Sequence, residues 1–415
     1  MPRKPMPTPS SYRRGILRAG CAALLALSLP PRAFGRAAPV LIGLDAEFSD
    51  RSSTADDGIR FGAQTAIDDI NAAGGVLGGR PLQLVTTDNR SVPARGVANV
   101  EYLAGLPDMT AYVCSRFSTV ALEQLPHIHD PQLPLLAPGS AADAIVDNHR
   151  SPNYAFRLGL RDSIAMQALL DAIAARGLRR IGLILPTTAW GRSCLFFAER
   201  RLTLDPDFAL TVVGVEWHRW GSDRLIDESY RSLREKGAEA ILLVANEREG
   251  ATLMKALAQM RVADRRPIFS HWGITGGHFS ELCGPALAEV DLEVVQSFSF
   301  ARAQGARGTR LAQLAAAHFG VDDPLQVPSA TAIGPAYDLV GLLALAIDQA
   351  GSTRRPAIHE ALEHLPAHSG VVRRFAPAFT RARHEALDVG DVLLCRFEPS
   401  GRLVPAEVKR SSRWP

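Results

Sequence analysis

Hydrophobic and polar positions along this chain switch repeatedly between two periods. Phe61, Ala63, Ala66, Ile67 and Ile70 recur at three- and four-residue spacing, which puts one apolar stripe on a helix. Asn71, Gly74 and Gly75 end it, because both residue types accept the left-handed backbone that closes a helix C-terminus. A glycine-rich turn over 76–81 follows, and LQLVTTD over 82–88 predicts a buried strand with Asp88 and Asn89 at its polar end. Residues 40–44 predict an earlier strand, so the opening reads as a strand–helix–strand unit.

The alternation continues. Helices are predicted around Val97, Val100 and Leu103, over 118–129 and over about 163–176, with strands over 111–114, 133–137 and 154–158. A second series of strands covers 180–185, 210–215, 240–245 and 267–270. The run ILLVA is continuously apolar, as a parallel strand is when helices cover both its faces. The expected class is α/β with doubly wound parallel sheets. The tail departs from this pattern. A long apolar-striped helix over 331–349 and another over 357–365 precede short β segments at 371–373, 389–397 and 403–404.

Composition fits a soluble globular protein, at 47% hydrophobic and 21% charged residues. The length of 415 residues suggests two domains, each with its own core. The first 35 residues hold six basic side chains and no acid, so without them the formal net charge falls from +3 to −3. A mildly acidic remainder gives no electrostatic basis for binding nucleic acid. The same segment has the parts of an export signal: a basic start, an apolar run over 19–29 and small residues around Ala33 and Gly35. Arg13-Arg14 also fits a twin-arginine signal. Residues 1–37 are therefore expected to be a cleaved signal peptide, and no later segment is expected to cross a membrane. Cys21 precedes most of the apolar run, which excludes it as a lipid anchor. Cys114, Cys194, Cys283 and Cys395 show no disulfide or zinc spacing, and Cys114 and Cys395 read as buried free thiols.

The run INAAGGVLGGRPLQLVTTDN, with the helix leading into it, resembles the opening of type I periplasmic substrate-binding proteins of the leucine/isoleucine/valine-binding group. That resemblance, over about residues 38–415, implies two doubly wound lobes joined by three crossover segments. It places the first lobe at 38–157 plus 302–365 and the second at 158–301 plus 366–415. It also implies a monomer that captures a small carboxylate, amino-acid-like or amide ligand and delivers it to an ABC permease. A sensor that reports to a membrane receptor or kinase would use the same fold. Some relatives bridge the loops after the second and third strands, but here Ser91 stands in the first of them, so the bridge is not carried over. An enzyme is not expected: no GxGxxG after a strand, GxxxxGK[ST], GxSxG or metal-ligand spacing occurs, and His384-Glu385 reads as a solvated turn. No cofactor is implied.

In such sheets ligands bind beyond the C-terminal ends of the strands, where helix N-termini favour anions. After the third strand, Ser118 and Thr119 serve either as helix caps or, as in relatives, as holders of a ligand carboxylate. Arg116 is either a bidentate partner for an anion or a solvated arginine. After the fourth strand, Gly139 and Ser140 match the family's Ser-Pro-Gly-Ala-Thr loop, while Ala141 lacks the usual hydroxyl. In the second lobe Trp190 stands where relatives often carry Tyr, and packing beneath its loop is the alternative. Trp272 stands where the amino-acid binders carry a Glu for the ligand ammonium, and Glu247 is a substitute for that charge on a neighbouring loop. His271 reads as a hydrogen-bonded loop histidine. Asp45, Glu47 and Ser49 lie on the hinge side, and Ser52-Ser53-Thr54 matches a covering loop. Two tryptophans and a missing Glu favour a flatter, less cationic ligand than leucine, such as an aromatic carboxylate.

Overall fold

Two parallel sheets with helices packed on their faces make up the computed structural model, which describes residues 38–49, 54–205, 208–220, 222 and 225–406. The expected signal peptide and Ser52-Ser53 lie outside the described residues. The first lobe is built from β1 (Val40–Ala46), α1 (Ala55–Ala72), β2 (Leu82–Asp88), α2 (Pro93–Ala104), β3 (Met109–Cys114), α3 (Ser118–His129), β4 (Leu135–Ala137) and β5 (Ala155–Arg157). Its strands are parallel, in the order β2-β1-β3-β4-β5. The second lobe follows with α4 (Asp162–Ala175), β6 (Arg180–Pro186), α5 (Ala189–Leu204), β7 (Thr211–His218), α6 (Ile226–Glu235) and β8 (Ala240–Leu243). It continues through α7 (Glu247–Ala258), β9 (Ile268–Ser270), α8 (Phe279–Cys283) and β10 (Leu292–Gln296). The chain then returns to the first core with α9 (Gly305–Phe319), α10 (Ala330–Ala350) and α11 (Arg355–Glu363). After the short pair β11 (His368–Ser369) and β12 (Arg374–Phe375), β13 (Leu393–Phe397) and β14 (Leu403–Pro405) complete the second sheet. That sheet runs β14-β13-β10-β9-β8-β6-β7, with β13 antiparallel to β10.

The turn after α1 forms for the expected reason at its glycines only, since Asn71 stays helical within α1 and acts through its side chain instead. Gly74 and Gly75 adopt φ of +113° and +74°. The Asn71 side chain donates to Leu82 O at 2.8 Å and accepts from Leu82 N–H at 2.7 Å, so the helix end is tied to β2. On its other face α1 packs against α10 almost backbone to backbone. A Cβ at Gly62 would fall 2.3 Å from Ile333 O, so glycine is what permits the approach.

Three sequence expectations are corrected here. Residues 371–373 form the turn between β11 and β12 rather than a strand. Helix α10, with 21 residues and a mean hydropathy of 1.6, is long and apolar enough to cross a membrane, yet 83% of its apolar window is buried in the protein. It is a core helix. His384-Glu385 is not a solvated turn: Glu385 pairs with Arg157, which is fully buried, and His384 is buried too.

These last residues tie β5 to the segment around residues 384–386. Arg157 N–H donates to His384 O at 2.8 Å, and Ala386 N–H donates to Arg157 O at 2.9 Å. The second crossing is held by Thr331 Oγ1, which accepts from the N–H groups of Ser297 and Phe298 at 3.3 Å each. Val371, Phe375, Phe379 and Leu387 all pack into the first core, although the resemblance gave this stretch to the second lobe. We therefore propose that the third crossing lies near residues 388–392.

Asp338 of α10 accepts the N–H groups of Val371 and Val372 at 2.7 and 2.9 Å. Burial nevertheless pushes its carboxyl up to about 6. This group is easier to protonate folded than unfolded. Its contribution to stability is therefore complete below pH ~4 and is lost as pH rises through about 6. Denaturant titrations at pH 5 and 7 should show wild type losing about 1 kcal/mol more than Asp338→Asn over that interval. An identical pH dependence in both proteins would contradict this assignment.

Candidate functional site

The first-lobe wall of the cleft is organised by Asp56 in the first turn of α1. Its carboxylate accepts Glu47 N–H and Arg116 N–H, each at 2.8 Å, and so joins the loops after β1 and β3. Complete burial pushes the carboxyl up to about 6, against the opposing effect of these bonds and of the Arg116 charge. Asp45, expected at the hinge side, is instead held in the lobe interior by Thr87, Asn89, Asn99 and Gln124.

Helix α3 starts at the cleft with Phe117 as its N-cap residue and no side-chain cap. Ser118 and Thr119 are thus its first helical residues rather than its caps. Ser118 Oγ accepts from Ala141 N–H at 3.1 Å and Ala142 N–H at 3.0 Å, which seats the β4 loop on α3 and leaves the hydroxyl proton to donate.

Contacts from the second lobe hold the cleft closed. Glu247, at the start of α7, meets the Arg116 guanidinium with Oε2–Nη1 at 3.2 Å and Oε1–Nη2 at 3.3 Å, and both side chains are under 5% exposed. Thr54 N–H donates to Gly276 O at 2.9 Å, and Ser329 N–H donates to Thr275 O at 3.0 Å. The Trp220 ring lies 4.2 Å from that of Phe117.

Between these contacts is a cavity of about 360 Å³, its open mouth included. Six residues expected at the site line it: Arg116, Ser118, Thr119, Gly139, Trp190 and Trp272. Ser140 and Glu247 do not. Ser140 is fully buried and donates to Ser115 O at 2.5 Å, while Glu247 is engaged by Arg116. The wall also includes Phe117, Ala141, Trp220, Asn246 and Gly273, which the sequence reading did not select. Trp220 was missed because β7 runs on to His218, beyond the strand end expected at 215. Gly273 is needed for Trp190 to lie where it does, since a Cβ there would sit 2.4 Å from the indole Cη2.

Three polar atoms on this wall are buried without a hydrogen-bond partner: Arg116 Nε, Thr119 Oγ1 and Trp190 Nε1. All three can donate a hydrogen bond, and among the described residues no carboxylate lines the cavity. A larger space of about 650 Å³ lies beside Thr275 and Phe298, but its lining groups Gln296, Thr275 and Ser329 bond to one another or to backbone. The smaller cavity is the one with unspent donors.

A profile of the family described as periplasmic binding protein matches residues 39–393. A search of curated proteins finds no match. Among solved structures, a type 1 periplasmic binding protein from Bordetella pertussis aligns with a TM-score of 0.77 at 20% identity, over 89% of this chain and all of the other. LivJ, a branched-chain amino acid transporter substrate-binding protein from Streptococcus pneumoniae in complex with isoleucine, gives 0.71 at 18% identity, over 88% and 97%. An ABC transporter solute-binding protein from R. palustris in complex with benzoate gives 0.72 at 15%, over 88% and 95%. With the profile spanning nearly all of the described fold, and two doubly wound lobes closing on one small cavity, the chain belongs to the periplasmic binding protein family, with the type I architecture.

Proposed function

We propose that this protein is exported as a monomer, captures a small aromatic or other apolar carboxylate between its lobes, and delivers it to an ABC permease. The observation that supports this reading is the cavity wall itself. Arg116 Nε, Thr119 Oγ1 and Trp190 Nε1 are buried donors without partners, and no acid accompanies them among the described lining residues. A buried donor left unpaired costs about 1–3 kcal/mol, so one carboxylate that accepts from all three would gain the most here. The N-terminus of α3 adds a partial positive charge. Phe117, Trp190, Trp220 and Trp272 supply the flat apolar surface. An α-ammonium has no counterion on this wall: among the described residues no carboxylate lines the cavity, and Glu247 is paired with Arg116. The benzoate carried by the R. palustris neighbour fits the same chemistry, whereas the isoleucine of LivJ would require a cation partner that this wall does not offer.

Binding would proceed by hinge motion about the three crossings, as a ligand shifts the open–closed balance only through contacts that it makes better in the closed state. The carboxylate would dock first on Ser118 and Thr119, and the second lobe would then bring Trp190 and Trp272 over the ring. The role is binding without catalysis: the wall holds hydrogen-bond donors and aromatic rings but no nucleophile paired with a base.

A thermal-shift screen tests the ligand class. Benzoate and its ring-substituted relatives should raise the melting temperature, and leucine and valine should not; stabilisation by the aliphatic amino acids alone would overturn the proposal. Calorimetry on Thr119→Val, which removes one donor at nearly constant volume, and on Trp190→Phe, which removes the indole N–H together with part of the ring, should show benzoate binding weakened on the order of tenfold per variant. Unchanged affinity in both would remove these donors from the site.

A further inference from the structure

Beneath the tryptophans, the second lobe brings together three side chains that the cavity does not use. Asp162 is at the start of α4, Cys194 lies within α5 and His271 directly follows β9. Each is fully buried, and their carboxylate, thiol and imidazole ligand atoms all lie within 4.8 Å of one another. His271 Nε2 stands 3.3 Å from Asp162 Oδ1. That approach is not aligned as a hydrogen bond, and apart from the Cys194 thiol beside Asp162 neither the Asp162 oxygens nor the His271 nitrogens have a hydrogen-bond partner among the described residues. Polar atoms so fully buried are costly to leave without good partners.

We propose that Asp162, Cys194 and His271 bind one transition-metal ion, with zinc as the best match. A sulfur, nitrogen and oxygen donor set suits zinc and not the hard cations calcium and magnesium, which take oxygen alone. Zinc bonds of about 2.0–2.3 Å in a tetrahedron set donor atoms roughly 3.3–3.8 Å apart. The His271–Asp162 separation of 3.3 Å already falls in that range. On binding, the Cys194 thiol gives up its proton to solvent and the thiolate forms the metal–sulfur bond. Thiolate and carboxylate together then offset the two charges of the ion, so the buried cluster becomes neutral. The position gives the ion a structural role. The His271 ring meets Trp190 edge-on at 5.0 Å between centroids, and Trp272 is the next residue, so a metal here would fix the second-lobe wall of the cavity. It would also join α4, which follows the first crossing, to α5 and β9.

The test uses the tag-free mature protein, refolded with zinc chloride because the cluster is buried, then dialysed against metal-free buffer. Elemental analysis should find about one zinc per chain. X-ray absorption at the zinc edge should show one sulfur at about 2.3 Å with nitrogen and oxygen neighbours. Cobalt in place of zinc should give a thiolate-to-cobalt charge-transfer band. Cys194→Ser and His271→Asn should each lose the bound metal and that band. Less than a tenth of an equivalent of zinc in wild type, with no cobalt band, would overturn the proposal, as would a Cys194→Ser protein that keeps both. Should either variant fail to fold, the wild-type absorption spectrum decides alone: a sulfur-free coordination shell contradicts the site.

Discussion

The buried pair between Arg116 and Glu247 is the interaction on which the rest of this structure turns. It joins residues 131 positions apart, on opposite lobes, at 3.2–3.3 Å and almost out of contact with water. Taking two such charges out of water costs several kcal/mol per ion, and only the pairing offsets it. Neither partner is therefore free to serve another group at full strength. The pair bridges the cleft, and among the described residues no carboxylate lines the cavity beside it. Arg116 keeps its Nε for the cavity, while its guanidinium also lies 4.6 Å from the Phe117 ring centre.

Around that pair the fold divides into rigid lobes and short, well-bonded crossings. Each lobe has its own apolar core, and α10 anchors the first by lying along α1. Polar contacts hold the backbone where the chain leaves each core. Arg157 is bonded to Glu385 and to the carbonyls of Ser140 and Ala142, so β5 and the segment around Glu385 are tied to the β4 loop. Thr331 ties the second crossing to the start of α10. Since Ser118 holds the same β4 loop from the cleft side, the Arg157 contacts and the cavity wall share a single piece of backbone.

The scaffold was legible in the sequence because periodicity and glycine chemistry are local. The turn at Asn71, Gly74 and Gly75 and the helix over 118–129 could be read directly, and α3 spans those same residues. The wall of the cavity was legible only in part. Arg116, Thr119, Trp190 and Trp272 follow strands, where chain order alone predicts a site. Glu247 and Ser140 follow strands too, yet each is engaged by a partner far away in sequence or in the opposite lobe, and nothing in a linear pattern records that. Trp220 was hidden by a strand end placed three residues early. Long-range polar pairing, which also assembles Asp162, Cys194 and His271, is the part that sequence spacing does not carry.

The central claim is that Glu247 belongs to Arg116 and not to the ligand. Calorimetry with 3-phenylpropanoate and phenylalanine, which differ only by the α-amino group, tests it most directly. The account predicts that the plain acid binds and that the amino acid binds at least tenfold more weakly, because its ammonium is buried without a counterion. Tighter binding of phenylalanine would mean that Glu247 turns to the ligand, and would contradict the account.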